Sequence, residues 1–357
     1  MKKEVNELEL YDRKKIDEYY PGAIMIPPMN VWKLPKNKLH KRKEVCESGK
    51  YFAQPKLDGS CYIYEKTKYG KSYLFSRRQS VKTDLLVEKG DRVPHIMEYL
   101  DSLVPNETIL VMEIYYPGEK SRNVTSIMGC NAPKAVERQR NKPLNAYIHD
   151  ILMYEGRSCL GMTNIDRWHE LSEVALAYFH PDFIKVADIK LDKIDQFIED
   201  CIDEGYEGAI LKLSKGMYFP TKRKAWNFIK FKIESEYDVI CTGFDPPNKE
   251  YQGTTPLEQW GFWEGQVPVT KPYAKGWVGA LRLGVYKDGK IVGLGTVASG
   301  LTDAILEEIK VNPNKFVNQP LLIKAMEPTE GNLREKRFIK FRDDINPTDC
   351  TWTKIFH

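Results

Sequence analysis

Residues 54–60 read QPKLDGS, that is Gln54-Pro55-Lys56-Leu57-Asp58-Gly59-Ser60, and they set the frame for the rest of the chain. Pro55 before and Asp58-Gly59 after place Lys56 at the end of a strand, where the backbone turns. A lysine amine is ordinarily protonated near neutrality, with a pKa of about 10.4. Nearby cations or desolvation lower that value and make the amine a nucleophile. Taken alone, however, the pattern KxDG is no more than a turn.

The segments downstream, in their order, give it weight. Ser76-Arg77-Arg78 comes about twenty residues later, and Glu113 lies inside the strand-like run TILVMEIYY at 108–116. Glu207-Gly208 opens EGAILK, and FIKFKI occupies 228–233. In that last strand Phe228, Lys230 and Lys232 share one face, while Ile229, Phe231 and Ile233 share the other. Two lysines on one face of a half-buried strand repel each other. A bound triphosphate would supply the reason; an exposed strand edge protected by lysines is the plain alternative.

The chain has 357 residues, 42% of them hydrophobic and 29% charged, which suits an ordinary globular protein of about two domains. Net charge is only +4, but the cations cluster. Lys212, Lys215, Lys222, Arg223, Lys224, Lys230 and Lys232 lie in a stretch without acids. Arg334, Lys336, Arg337, Lys340 and Arg342 face Glu335 alone. Such clusters neutralise phosphates or form solvated faces. Seven cysteines make no CxxC pair and no zinc-site spacing, as expected of reduced thiols in a cytoplasmic protein. No secretory leader, membrane span, repeat or P-loop is visible.

Residues 1–50 are expected to form a basic lead-in with a short helix before Pro21 and extended chain after it. Strands are expected at 62–64, 108–116, 145–154, 207–213 and 227–233, with helices at 166–179 and 193–204. Met128-Gly129-Cys130 reads as the approach to a helix that Asn131 caps. These elements imply α+β architecture with largely antiparallel sheet over 1–233. Beyond it, strands at 236–244, 277–286, 290–298 and 320–326, a hairpin at Asp288-Gly289 and a helix at 303–310 suggest a small OB-fold β-barrel over 234–357. An insertion at 245–276, rich in Pro, Gly and aromatics including Trp260, Trp263 and Tyr273, interrupts it.

The ordered set KLDG, SR, strand Glu, EGxxxK and KxK resembles the signature of the covalent nucleotidyltransferase superfamily. Later segments, VGALRLGV at 278–285, GLGTVASGLTD at 293–303 and GNLREKRFIKFRDD at 331–344, look like a ligase C-terminal domain. The closest likeness is to small phage-type ATP-dependent DNA ligases. That resemblance implies that Lys56 attacks the α-phosphate of ATP and carries AMP covalently. It implies that Gln54 lies at the adenine edge, that Arg77 contacts phosphate, and that Glu113 binds ribose or a metal-bound water. Glu207 would help hold Mg²⁺, so Glu113 and Glu207 are the expected metal ligands. Lys230 and Lys232 would grip phosphates, and Arg342 with Lys340 would orient pyrophosphate when the second domain closes. The implied partner is nicked duplex DNA and the implied state a monomer, in the cytoplasm (a host's, if the protein is viral).

The chain departs from the family pattern in three places. Cys61 stands where many DNA ligases have arginine, and His149 where a phenylalanine usually stacks on adenine. A histidine there can stack on a base or be hydrogen-bonded in the sheet. Asp343-Asp344 is followed by Ile345 rather than lysine. The alternatives are an RNA ligase, a capping guanylyltransferase and a non-catalytic nucleic-acid-binding relative. An NAD-dependent ligase is disfavoured because neither a nicotinamide-binding domain nor a four-cysteine module is visible.

Overall fold

A computed structural model of the chain describes residues 11–34, 36–118, 121–178, 182–232, 235–253, 255–326, 328 and 331–356. It divides into two compact units, Met1–Lys232 and Ile233–His357. The first ten residues of the lead-in, Phe179 at the end of an expected helix, Ile233 and Thr254 lie outside the described residues.

The first unit runs α1 (Arg13–Tyr19), β1 (Trp32–Lys33), α2 (Arg42–Glu47), β2 (Tyr51–Lys56), β3 (Ser60–Lys66), β4 (Ser72–Gln79), β5 (Leu86–Glu88) and α3 (Pro94–Leu103). It continues through β6 (Thr108–Tyr115), α4 (Ser121–Met128), α5 (Ala132–Arg138), β7 (Asn145–Tyr154), β8 (Arg157–Ser158) and α6 (Asn164–Tyr178). β9 (Ile184–Val186), α7 (Ile194–Asp203), β10 (Gly208–Leu213) and β11 (Phe228–Lys232) complete it. Two sheets result: a four-stranded one in the order β1-β11-β10-β2, and a seven-stranded one in the order β5-β4-β3-β6-β7-β8 with β9 beside β7. Pairing is antiparallel except for β1 with β11 and β7 with β9.

The lead-in is not extended throughout. A 3-10 turn at Lys36–Lys41 runs into α2, whose Val45 and Cys46 are buried. They pack with Ile194, Ile198 and Cys201 of α7 against Ala53, Leu211, Ile229 and Phe231 of the four-stranded sheet. Prolines mark only the first part of this segment, and tertiary burial folds the rest. The opposite face of that sheet contributes Phe228 to a core with Ile63, Phe75, Val111 and Leu152 of the larger sheet. A third core, with Tyr64, Leu110, Met112 and Ile148, lies under α3, α4 and α5. Two sheets therefore face each other, with helices outside. Asn131 caps α5 by accepting from the Lys134 amide, as its sequence position suggests.

The second unit contains β12 (Ser235–Asp245), β13 (Trp263–Glu264), β14 (Val267–Pro268), α8 (Lys271–Lys275), β15 (Ala280–Lys287), β16 (Lys290–Val297), α9 (Asp303–Val311), β17 (Pro320–Ala325) and β18 (Arg337–Phe341). Five strands form an antiparallel sheet in the order β16-β15-β12-β17-β18. Asp288 and Gly289 both have positive φ (51° and 73°), the geometry of a tight hairpin between β15 and β16. Past the end of β16, the Phe338 amide of β18 donates to the Ser299 carbonyl at 2.8 Å, so the two edge strands approach. Residues 245–276 are not a bare loop. β13 and β14 pair as a small hairpin, Tyr251 stacks on Trp260 at 3.8 Å, and Trp260 Nε1 donates to the Val269 carbonyl at 2.8 Å.

Gly208 shows how tightly the smaller sheet is built. Its φ is +135°, and a Cβ there would lie 2.1 Å from the Phe231 carbonyl oxygen on β11. Gly208→Ala should therefore destabilise the fold by about 2–4 kcal/mol, read as a lower urea midpoint; an unchanged midpoint would mean that β10 and β11 separate without cost.

Candidate functional site

The register of the four-stranded sheet builds the site row by row. Gly208 pairs with Lys56 on one side and with Lys232 on the other. Directly opposed residues share a face, so Lys56, Gly208 and Lys232 form one row. Glycine at its centre leaves the space above the backbone open between the two lysine side chains. The next row on that face is Gln54, Ile210 and Lys230, and the next is Phe52, Lys212 and Phe228. The face pattern expected for Phe228, Lys230 and Lys232 is thus present, while Ile229 and Phe231 point into the apolar core behind.

Glu207 joins the row from its end. One carboxylate oxygen is in ion-pair contact with Lys56 Nζ and the other with Lys232 Nζ. The Glu207 amide also donates to the Lys56 carbonyl at 2.8 Å, which locks its side chain at the row's edge. Glu207 is 8% exposed, so this carboxylate bridges two ammonium groups with little water between them. Lys56 and Lys232, a pair drawn from two strands rather than the Lys230 and Lys232 of one, are held together by the acid.

The larger sheet supplies the opposing wall. Cys61 on β3 and Glu113 on β6 are directly opposed partners. Gly59 lets this turn lie flat, since a Cβ there would be 2.4 Å from the Ile114 carbonyl oxygen and 2.8 Å from Glu113 Cγ. Burial pushes the Glu113 carboxyl up to about 7, with Lys56 and Arg77 opposing and Glu207 and Asp58 reinforcing the shift. These five groups therefore share one electrostatic neighbourhood. Arg77, on β4, donates to the Asn30 side chain and keeps an exposed position.

His149 lies in a β-bulge. Ile148 pairs with Met112 and Asp150 with Val111, which leaves His149 as the extra residue of β7. Bulges re-aim side chains, and this one brings His149 to Cys61 and Glu113, with the three potential ligand atoms within 4.8 Å of one another. Burial, reinforced by the charge of Lys212, pushes the His149 imidazole down to about 3, so it is neutral at ordinary pH. Burial, then Glu113, pushes the Cys61 thiol up to about 12.

Behind His149 is a buried charge network that the sequence pattern does not single out. Arg167 Nε donates to Asp150 Oδ1 at 2.7 Å and Arg167 Nη2 to Asp150 Oδ2 at 3.2 Å. Lys212 Nζ donates to the same Oδ2 at 3.2 Å and to the His149 carbonyl at 2.7 Å. Burial opposes ionisation of Asp150, but Arg167 and Lys212 outweigh it and hold the carboxyl well below its usual range. The sequence groups Lys212 with phosphate-facing or solvated cations; at 3% exposure it is neither, and it ties β10 to β7 instead. Lys215, Lys222, Arg223 and Lys224 of the same stretch are exposed. The signal for Lys212 is its place at the end of EGAILK, on the face that meets the other sheet.

Two expected residues stand differently. Gln54 is 2% exposed, and its Nε2 has no hydrogen-bond partner among the described residues. A buried amide donor left so is costly unless a ligand supplies the acceptor, which a purine edge would do. Arg342 belongs to the second unit. Its guanidinium forms a two-pronged pair with Asp344 (2.6 and 2.7 Å) and reaches Asp238 at 3.1 Å.

The carboxyls of Glu113 and Glu207 suit a hard divalent cation, because their mutual repulsion is what such an ion relieves. The raised Glu113 pKa has a sign that can be tested. A carboxyl whose folded value lies above its ordinary 4.5 favours the folded state when protonated, so that contribution is lost as pH rises from about 4.5 through about 7. Glu113→Gln should flatten that slope of stability against pH in metal-free buffer, measured by thermal denaturation. An identical slope in the variant would mean that Glu113 titrates normally.

The chain is similar to several known proteins. Residues 33–232 match the family model described as ATP dependent DNA ligase domain, over half of the chain. A DNA ligase of Methanocorpusculum labreanum is 26% identical over 54% of this chain and 33% of its own length. DNA ligase 1 of Methanosarcina mazei is 24% identical over 86% of this chain and 57% of its own length. The chain thus spans about a third to somewhat over half of these curated relatives. Among solved structures, a Lig E DNA ligase superposes with a TM-score of 0.57 at 16% identity, covering 89% of this chain and 100% of its own, which shows a shared fold.

Proposed function

This chain belongs to the ATP dependent DNA ligase domain family, and from that premise we propose that it seals 5′-phosphate/3′-hydroxyl nicks in duplex DNA through a lysyl-AMP intermediate on Lys56. The observation that carries the reading is the row Lys56–Gly208–Lys232 bridged by Glu207, beside a buried Gln54 amide without a partner among the described residues. Gln54 donates to the base of ATP and His149 offers its neutral ring to that base. Lys230 and Lys232 meet the phosphates, with Arg77 on the exposed side. Glu207 aligns the Lys56 amine. That amine, once deprotonated, forms a P–N bond to the α-phosphorus, and the P–O bond to pyrophosphate breaks. The 5′-phosphate of the nick then attacks the same phosphorus, the P–N bond breaks and Lys56 regains its proton. The 3′-hydroxyl finally attacks the activated 5′-phosphate and AMP leaves. Magnesium, when bound, neutralises charge developing on phosphate oxygens, and Glu113 and Glu207 are the residues that would hold it.

We read the second unit as an OB-fold. The strand order β16-β15-β12-β17-β18 and the approach of β18 to the end of β16 support this reading. In that unit Arg342 would exchange its aspartate partners for pyrophosphate during enzyme adenylation. The aromatic, self-packed insertion at 245–276 would contact DNA. Trimming it to a short turn should weaken nick binding about tenfold or more while self-adenylation stays near its starting rate; equal losses of both would make the insertion structural.

Lys56→Ala should abolish transfer of label from α-labelled ATP to the protein and leave nick affinity nearly unchanged, as seen on a denaturing gel and by a binding shift. Label still carried by the variant would refute Lys56 as nucleophile. The wild type, given ATP and Mg²⁺, should seal a DNA nick faster than the same nick in duplex RNA or single-stranded RNA ends. Preference for either RNA would move the protein to an RNA ligase with the same lysine chemistry.

A further inference from the structure

We propose that Cys61, Glu113 and His149 form a binding site for a thiophilic divalent cation of the zinc class, and that its occupation blocks nucleotide entry beside Lys56. The binding half stands on the side chains alone; the blocking half rests on the reading of this site as the ATP site.

Two features of strand pairing bring the trio together. Cys61 and Glu113 oppose each other across β3 and β6. His149 is the bulged residue of β7, the strand on the other side of β6. The sulfur, carboxylate and imidazole atoms lie within 4.8 Å of one another. Metal–ligand distances of about 2.0–2.3 Å put tetrahedral ligands about 3.5 Å apart, so rotations of about an ångström close the set. Sulfur, nitrogen and oxygen donors together suit zinc, whereas magnesium takes oxygen alone. Three protein ligands leave a fourth position open for water or a phosphate oxygen, the arrangement of an exchangeable site rather than a closed structural one.

Two of the three ligands occupy positions where the family pattern carries arginine and phenylalanine, neither of which binds a metal. Two of the three departures from that pattern, Cys61 and His149, thus fall in one cluster around Glu113, while the third at Ile345 lies in the second unit. The charge balance is also suitable. A thiolate and a carboxylate together neutralise a divalent ion. Binding releases the thiol proton to solvent, with no oxidant or reductant involved. A cation held here would fill the space between the two sheets where the base and ribose belong.

The test uses the full chain, free of metal, titrated with cobalt chloride as a visible probe for zinc. One equivalent of cobalt should give a sulfur-to-metal charge-transfer band and tetrahedral absorption, and zinc should displace it. Cys61→Ser should lose the charge-transfer band, and His149→Phe should weaken cobalt binding about tenfold or more. In parallel, zinc should inhibit labelling of the protein by α-labelled ATP, and Cys61→Ser should be about tenfold or more less sensitive. An undiminished band in Cys61→Ser would assign the metal to another of the seven cysteines and overturn the site. So would the absence of a stoichiometric band in the wild type. Equal zinc sensitivity of both proteins would overturn the block. A normal cobalt spectrum in a protein that never takes label would fault the ATP reading and leave the metal site standing.

Discussion

One carboxylate holds the centre of this molecule. Glu207 touches Lys56 and Lys232, whose ammonium groups would otherwise repel each other across a residue without a side chain. Its position is dictated by the backbone, because its amide bonds to the Lys56 carbonyl and Gly208 comes next. The glycine is obligatory, since any Cβ would strike the carbonyl of Phe231. Charge, register and steric exclusion are therefore one constraint. Under the proposed reading, a polyphosphate arriving here would meet lysines already held in place by one acid, the preorganisation that electrostatic catalysis needs.

The second wall depends on a different kind of support. Asp150, Arg167 and Lys212 form a buried network directly behind His149. Removing one member would leave a buried charge without its partner, a loss of about 3–5 kcal/mol. The network clasps β7 to β10, one strand from each sheet, and so ties the two sheets together behind His149. It also fixes the bulge, since Lys212 bonds to the backbone carbonyl of the bulged residue itself.

Much of this is legible in the sequence, and the reasons are local. Alternation in FIKFKI assigns faces correctly because a strand has period two. Asp288-Gly289 names its hairpin because both positions need positive φ. QPKLDGS and EGAILK point to a lysine and a glutamate that the fold puts in contact. What escapes depends on pairing between distant segments. Whether Lys212 faces water or Asp150 is decided by which strand lies opposite. The bulge at His149 leaves no mark on propensity, so its alignment with Cys61 and Glu113 has no signature in the sequence. Helix α2 sits in a stretch that reads as extended, and its burial comes from α7 and the sheet beneath. The pairing of β13 with β14 involves four residues, too few for a pattern.

The sheet that carries Lys56 is stitched from segments far apart in the chain. Glu207 lies 151 residues beyond Lys56, and β1 at Trp32–Lys33 pairs with β11 at Ile229–Lys230. During synthesis on the ribosome, the lysine emerges long before the strands that complete its row. A nascent chain that stops before residue 229 lacks the partner of β1, and one that stops before residue 232 lacks the second lysine of the row. The row around Lys56 is thus incomplete until the whole first unit has been translated, and a prematurely terminated chain carries Lys56 without the second lysine of its row.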